Sequence, residues 1–117
     1  MYTVIFFKTA SGNDVVLSEI RRLPEEDRVV VGRDLRRVQV GFPLGMPLCR
    51  SLGGGLWEVR SSLPSKREFR LIFFVRSGQL VLVAVSAFVK KSAKTPDLEL
   101  KVARKRMREI ESGESHG

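Results

Sequence analysis

The chain has 117 residues, of which 43% are hydrophobic, so it can bury one core and fold as one domain. Lysine and arginine total 21 against 13 acidic residues, and the net charge of +8 favours a polyanionic partner, with a merely soluble basic surface as the alternative. The single cysteine, Cys49, excludes an internal disulfide and a cysteine-based metal site. No apolar run is long enough to cross a membrane and no signal peptide is visible, so we expect no membrane association and a cytoplasmic location.

The first half of the chain predicts one strand and two helices. The β-branched and aromatic segment Tyr2–Phe7 predicts an opening strand. Val16, Ile20 and Leu23 then fall at helical spacing, which predicts a first helix. A second amphipathic helix is expected to begin at Pro24, where three acidic residues follow at its positively charged end. The tight connection between the two helices predicts an antiparallel helical hairpin.

The second half predicts a loop, a three-stranded meander and a final helix. Residues 41–55 contain five glycines and two prolines, which is typical of a loop. Leu56–Arg60, Phe69–Val75 and Leu80–Phe88 have the composition of strands and follow one another with short connections, the pattern of an antiparallel meander. Pro96, preceded by a capping threonine, predicts the start of the last helix.

These elements predict an α+β domain with the order β-α-α-β-β-β-α. We expect an antiparallel meander sheet with the N-terminal helical hairpin and the C-terminal helix on one side of it. The domain is predicted to span residues 1–111, followed by a disordered tail over residues 112–117.

Cationic side chains in strands and adjoining loops are the candidates for chemistry. No histidine–aspartate or cysteine–histidine pair, nucleotide-binding glycine loop or metal-ligand cluster is visible, so no cofactor is expected. Arg60 and Arg70 lie in neighbouring predicted strands and can project from one open sheet face, while Lys90, Lys91 and Lys94 follow the next strand. Such a face can hold the phosphates of single-stranded RNA, with exposed aromatic rings for base stacking, and guanidinium groups can stabilise a phosphorane.

The same arginines can instead have a purely structural role. Arg60 can pair with Glu58 or Glu68 across neighbouring strands, and composition does not decide between the two interpretations. Cys49, with no histidine near it in the sequence, is interpreted as a structural thiol.

Four segments agree in order and spacing with the motifs of a known family. They are Leu-Trp-Glu-Val-Arg at 56–60, Phe-Arg-Leu-Ile-Phe-Phe at 69–74, Ala-Phe-Val-Lys-Lys-Ser-Ala-Lys-Thr-Pro at 87–96 and Ala-Arg-Lys-Arg at 103–106. The chain therefore resembles the phage-derived HigB-like branch of the RelE/ParE toxins. The resemblance implies the toxin of a type II toxin–antitoxin system, a metal-independent endoribonuclease that cleaves mRNA on the ribosome. Its implied partners are the ribosome, mRNA and a cognate antitoxin of helix-turn-helix type.

The resemblance also implies roles for individual residues. Arg60 and Arg70 would contact or stabilise the scissile phosphate, and Glu58 would orient Arg60 or accept a proton. A basic cluster at the end of the sheet and further RNA contacts complete the expected site: Lys90, Lys91, Lys94, Lys66, Arg67 and Phe88. Phe69 stands where the family usually has a tyrosine, so the general acid and base stay unassigned.

Two other functions remain open on the sequence. One is a ParE-like inhibitor of DNA gyrase, which cleaves nothing, and the other is a non-catalytic nucleic-acid-binding phage accessory protein. The Lys-Lys-x-x-x-Lys-Thr-Pro segment at 90–96 favours the mRNA-cleaving branch over the gyrase branch.

Overall fold

A computed structural model describes residues 1–76, 78–91 and 95–116 of the chain. Over these residues the elements follow one another as β1 (Thr3–Phe6), α1 (Leu17–Arg21), α2 (Glu25–Gly41), β2 (Cys49–Gly53), β3 (Leu56–Ser62), β4 (Glu68–Arg76), β5 (Val81–Lys90) and α3 (Asp97–His116). The predicted α+β class is confirmed, and the predicted order of elements holds with one strand added.

The strands form one sheet in the order β1-β5-β4-β3-β2. The predicted meander is confirmed, because β3, β4 and β5 pair antiparallel with their neighbours. The first strand, β1, lies at the edge and pairs parallel to β5 over Val81–Ala84. A parallel neighbour needs a long crossover, and the helices and strands between β1 and β5 provide it.

The glycine-rich segment predicted as a loop contains the strand β2. Cys49 pairs with Val59 and Arg50 with Glu58 in an antiparallel hairpin. Its turn is made by Gly53–Gly55, whose φ angles are 85°, 61° and 91°. These left-handed conformations favour glycine, so the glycines mark a tight turn and not a loop along the whole segment.

The helices lie on both faces of the sheet, and the prediction that they share one side is wrong. Val31 and Val38 of α2 belong to one core, and Ala103 of α3 belongs to the other. The reason lies in β4, since successive strand residues point to opposite faces. Phe69, Leu71 and Phe73 join the α2 core, whereas Ile72 and Phe74 join the α3 core. A strand that is apolar at consecutive positions is buried on both sides.

The start of α2 is tied to the turn between β3 and β4 through Asp27. Its carboxylate accepts hydrogen bonds from the backbone N–H and the hydroxyl of Ser65 at 3.2 and 2.7 Å. Arg67 Nη2 lies 3.4 Å from Asp27 Oδ2. These hydrogen bonds, led by that of the Ser65 hydroxyl, hold the pKa of Asp27 below its ordinary value.

The last helix is anchored to the sheet by two arginines. Arg106 Nη1 donates to the carbonyl of Val85 at 2.7 Å, and Arg104 donates to the carbonyls of Leu52 and Gly53 at 3.4 Å each. The backbone of α3 stays helical to His116, into the stretch 112–117 where the sequence predicts a disordered tail. Each added residue of a helix contributes one hydrogen bond, so an established helix extends at little cost. The domain boundary at residue 111 remains a prediction. None of the helices in the described ranges is long and apolar enough to span a membrane.

Candidate functional site

The side chains of interest lie in rows across the sheet face that carries α3. Arg60 of β3 lies opposite Arg70 of β4, which lies opposite Phe88 of β5. Two residues farther along, at the end of β3 and the start of β4, Glu68 lies opposite Ser62 of β3 on one side and Lys90 of β5 on the other. The predicted adjacency of Arg60 and Arg70 therefore follows from the register of the sheet.

A buried pair, Arg70 and Glu58, forms the centre of this site. Their side chains are 2% and 1% exposed, and Arg70 Nε lies 3.8 Å from Glu58 Oε1. Arg70 Nη1 lies 3.4 Å from Glu68 Oε1 and donates to the carbonyl of Phe69 at 3.2 Å. Thr95 donates its hydroxyl hydrogen to Glu58 Oε2 at 2.7 Å. A buried ion pair is tolerated only when hydrogen bonds satisfy its remaining groups, as they do here.

The burial of Arg70 corrects one expectation. It shares a sheet face with Arg60, as predicted, but it does not project from an open face. The residues just before α3 cover the face at this point, because Thr95 reaches Glu58 from above the sheet. Glu58 thus lies between Arg70 and Thr95, an arrangement that suits orientation of a guanidinium better than exchange of protons with solvent.

Solvent reaches Arg60, the other arginine of the pair. Its side chain is 24% exposed, and its Nε lies 4.0 Å from Glu58 Oε1. The pairing with Glu58 expected from the sequence therefore exists, but it is long and joins two residues of the same strand, β3. This Nε is buried and has no hydrogen-bond partner among the described residues. Among the described residues, Arg60 Nη1 donates to Met46 Sδ at 3.4 Å, and a thioether is a weak acceptor. The guanidinium therefore keeps donors for a ligand such as a phosphate.

The predicted basic cluster lies partly in an adjoining groove. Lys90 is half-buried and Lys91 is exposed, and both line a cavity of about 740 Å³ together with Arg67 and Phe88. Three of the predicted cations are thus brought together beside the buried pair. Lys94 lies outside the described residues.

The remaining RNA-binding candidates differ in what they expose. Phe88 is only 8% exposed and packs in the α3 core, so it is not the exposed aromatic ring that stacking on a base requires. Lys66 is exposed in the turn before β4, at a φ of 70° that is rare for lysine. Arg67 is half-exposed and pairs with Asp27.

Sequence reasoning missed two neighbours of the site. Thr95 was predicted to cap α3, whereas its hydroxyl binds Glu58. Met46 contacts Arg60 from the segment before β2. Neither contact has a signal in the sequence, because both depend on how a connecting segment folds back over the sheet.

Cys49 and the carboxylates offer no alternative chemistry. Cys49 is 1% exposed, and burial raises the pKa of its thiol to about 11, which agrees with its interpretation as a structural residue. Within residues 1–76, 78–91 and 95–116, no group of three or more histidine, cysteine or acidic side chains is placed to hold a metal ion. The arrangement can therefore bind and stabilise negative charge. Among the described residues, the candidates for proton transfer are the lysines and the carboxyl groups of Glu58 and Glu68.

Comparisons with known proteins agree with the fold. A family model described as "Phage derived protein Gp49-like (DUF891)" matches residues 18–108. A chain of the crystal structure of the intact E. coli RelBE toxin–antitoxin complex matches with a TM-score of 0.57 and 18% identity, over 79% of this chain and 100% of that chain. The isolated E. coli RelE toxin in its P21 form matches with a TM-score of 0.49 and 19% identity, over 90% and 98%. No curated protein sequence matches significantly.

Proposed function

Because the chain belongs to the phage-derived Gp49-like family (DUF891), we propose that it is the toxin of a type II toxin–antitoxin system. The RelE/ParE superfamily predicted from the sequence motifs is confirmed by the family match and the shared fold. Within that superfamily, the HigB-like motifs at residues 56–60 and 87–96 favour an endoribonuclease that cleaves mRNA on the ribosome.

The observation that carries this activity is the incompletely satisfied guanidinium of Arg60 beside the buried Arg70–Glu58 pair. In the proposed reaction the ribose 2′ oxygen forms a bond to phosphorus and the bond to the 5′ oxygen breaks. The products are a cyclic phosphate and a free 5′ hydroxyl. Charge accumulates on the phosphoryl oxygens, where Arg60 can donate two hydrogen bonds at once. Arg70 adds fixed positive charge from below, and Glu58 holds both arginines in place.

Proton transfer is the weaker part of this site. Glu58 is enclosed; Lys90 and Lys91 line the groove, and Lys94 lies outside the described residues. Cleavage therefore depends on accurate placement of the ribose hydroxyl. The ribosome would supply that placement, which can contribute several kcal/mol to catalysis. We expect naked RNA to be cleaved poorly.

A partner antitoxin is part of the proposal. The groove has three cations, Lys90, Lys91 and Arg67, against the carboxylates of Glu19 and Glu99, which leaves it positive by one charge. Val29 and Val40 on α2 are 64% and 67% exposed. An acidic amphipathic segment could neutralise the first surface and cover the second. We propose a helix-turn-helix antitoxin that acts in this way, and a cytoplasmic location for the complex.

The test is translation in a purified ribosome system with primer extension on the mRNA. We expect cuts within codons at the ribosomal A site, and much slower cleavage of the same mRNA without ribosomes. Rapid cleavage of naked RNA would contradict the mechanism. Intact mRNA together with inhibited DNA gyrase would favour the ParE-like alternative. If the protein neither cleaves mRNA nor inhibits gyrase, the alternative that remains is a non-catalytic nucleic-acid-binding accessory protein.

The antitoxin is tested separately by co-expression with the neighbouring reading frame. Growth arrest by the toxin alone, relieved in the presence of a co-purifying partner, is the expected result. A harmless toxin with no partner would contradict this part of the proposal.

A further inference from the structure

A second cavity, of about 310 Å³, lies between α2 and the edge of β3. It is distinct from the groove beside Lys90, and we call it the α2 pocket. Its polar lining consists of Arg33, Asp34, Arg37, Arg60, Ser62 and Glu68. None of the helix residues in this set belongs to the family motifs, so no sequence pattern singles them out.

The helix wall of the α2 pocket presents two arginines one turn apart. Residues four apart on a helix lie on the same face, which places Arg33 and Arg37 side by side. Asp34 is 6% exposed at its side chain and lies 3.7 Å from a nitrogen of each arginine. These are the only ion pairs of the two arginines within the described part of the chain, and both are long. Their side chains are 64% and 61% exposed, so most of their donors face solvent.

The opposite wall is the guanidinium of Arg60. Its side chain is 24% exposed, and its Nη1 donates to the weak acceptor Met46 Sδ, so the guanidinium keeps donors for a ligand that carries an acceptor. Arg60 also belongs to the sheet-face site with Arg70. The α2 pocket is therefore continuous with that site through one shared side chain.

We propose that the α2 pocket binds a phosphate of single-stranded RNA adjacent to the scissile phosphate, with Arg33 and Arg37 as its principal ligands. Three guanidinium groups against two carboxylates leave the pocket positive, and planar guanidinium donors match phosphate oxygens. Only Pro47 and Leu48 contribute apolar surface, whereas a docked peptide usually needs a large apolar anchor. The identity of the nucleic acid as RNA rests on the proposed function.

The test measures binding of a short 2′-O-methyl RNA, which lacks the hydroxyl that cleavage requires. The variants are Arg33→Gln and Arg37→Gln, and the matched control is Arg36→Gln, an exposed arginine on the same helix that does not line the pocket. We expect each pocket variant to weaken binding on the order of tenfold, as for loss of a charge-assisted hydrogen bond. The slope of log K against log salt should fall by about 0.7 for each lost phosphate contact. Arg36→Gln should change either quantity much less.

Several outcomes would overturn this assignment. Equal losses of RNA affinity in Arg36→Gln and Arg37→Gln would mean that RNA binding depends only on the net charge of the protein. Unchanged RNA affinity in both pocket variants, with weaker antitoxin binding, would assign the pocket to an acidic peptide. Thermal melting of each variant checks that the fold is intact, which is expected because both arginines are exposed. Cleavage of mRNA on the ribosome by the wild-type protein is measured separately. If it is absent, the proposed endonuclease is refuted, but a selective loss of RNA binding in the pocket variants would still support the phosphate site.

Discussion

A step of one residue along the strands separates two rows of opposite character. Val59, Leu71 and Ala87 pair across β3, β4 and β5 on the α2 face, and all three are buried and apolar. The next row, on the α3 face, contains Arg60 and Arg70. The apolar row stabilises the fold through burial alone. The row with the two arginines contributes stability only if ion pairs and hydrogen bonds offset the cost of burying charge. One face of the sheet thus carries the main core, and part of the other carries the charged residues of the candidate site.

The largest expected effect comes from removing the buried charge. Arg70→Ala leaves Glu58 without its closest cation, and breaking a buried pair costs about 3–5 kcal/mol in the free energy of unfolding. Leu71→Ala, one residue away on the opposite face, should cost a similar amount, about 2–5 kcal/mol, through the cavity it leaves. Urea denaturation measures both.

Activity then separates these two variants. At a temperature where both are folded, Leu71→Ala should still cleave mRNA on the ribosome, whereas Arg70→Ala should not. Arg70→Ala with wild-type stability would contradict the description of Arg70 as part of a buried pair.

The next effect concerns catalysis more than stability. Arg60→Ala should lower the rate of mRNA cleavage by a factor on the order of 100–1000, or about 2.7–4 kcal/mol, because it removes donors to the developing charge. Its free energy of unfolding should change little, since Arg60 is partly exposed and its bond to Glu58 is long. Single-turnover cleavage on programmed ribosomes, beside a urea titration, checks both statements. A destabilisation as large as that of Arg70→Ala would mean that Arg60 is structural.

A smaller effect is expected from the threonine above the pair. Thr95→Val keeps the shape but removes the hydroxyl that donates to Glu58, and a buried acceptor left without its donor costs about 1–3 kcal/mol. Ser86→Ala is the control, because its acceptor Glu99 is half-buried and can be hydrated. The melting temperature of Thr95→Val should be lower than that of Ser86→Ala. The reverse order would contradict the enclosed position of Glu58.

The smallest effect is a pH dependence of stability at Asp27, the carboxylate that pairs with Arg67. The pKa of Asp27 is lowered in the fold, mainly by the Ser65 hydroxyl, so its contribution to stability is present at neutral pH. That contribution is lost as the pH falls below the ordinary value of 3.8 toward the lowered pKa. Asp27→Asn should therefore flatten the acid side of a plot of melting temperature against pH. An unchanged acid slope would show that Asp27 titrates normally in the folded protein.

The sequence allowed a correct prediction of the meander and of the neighbouring positions of Arg60 and Arg70, because both follow from local patterns and short connections. It did not predict that α3 lies across the sheet from α2. The unbroken apolar run in β4 contained that information, since such a strand is covered on both faces. The burial of Arg70 could not be predicted in this way. Arg70 pairs with Glu58, and the hydroxyl that Glu58 accepts from comes from Thr95, 37 positions away in the sequence.

The buried thiol of Cys49 has a practical consequence. With a pKa near 11, only about one thiol in ten thousand is ionised at neutral pH, and the thiolate is the form that reacts with maleimides and disulfides. Because Cys49 is also only 1% exposed, we expect it to react with such reagents much more slowly than an exposed thiol. A single cysteine introduced at exposed Arg36 would take a fluorescent label without prior removal of the native one. Such a label would lie on α2 outside the lining of the α2 pocket, so Arg33 and Arg37 would stay in place.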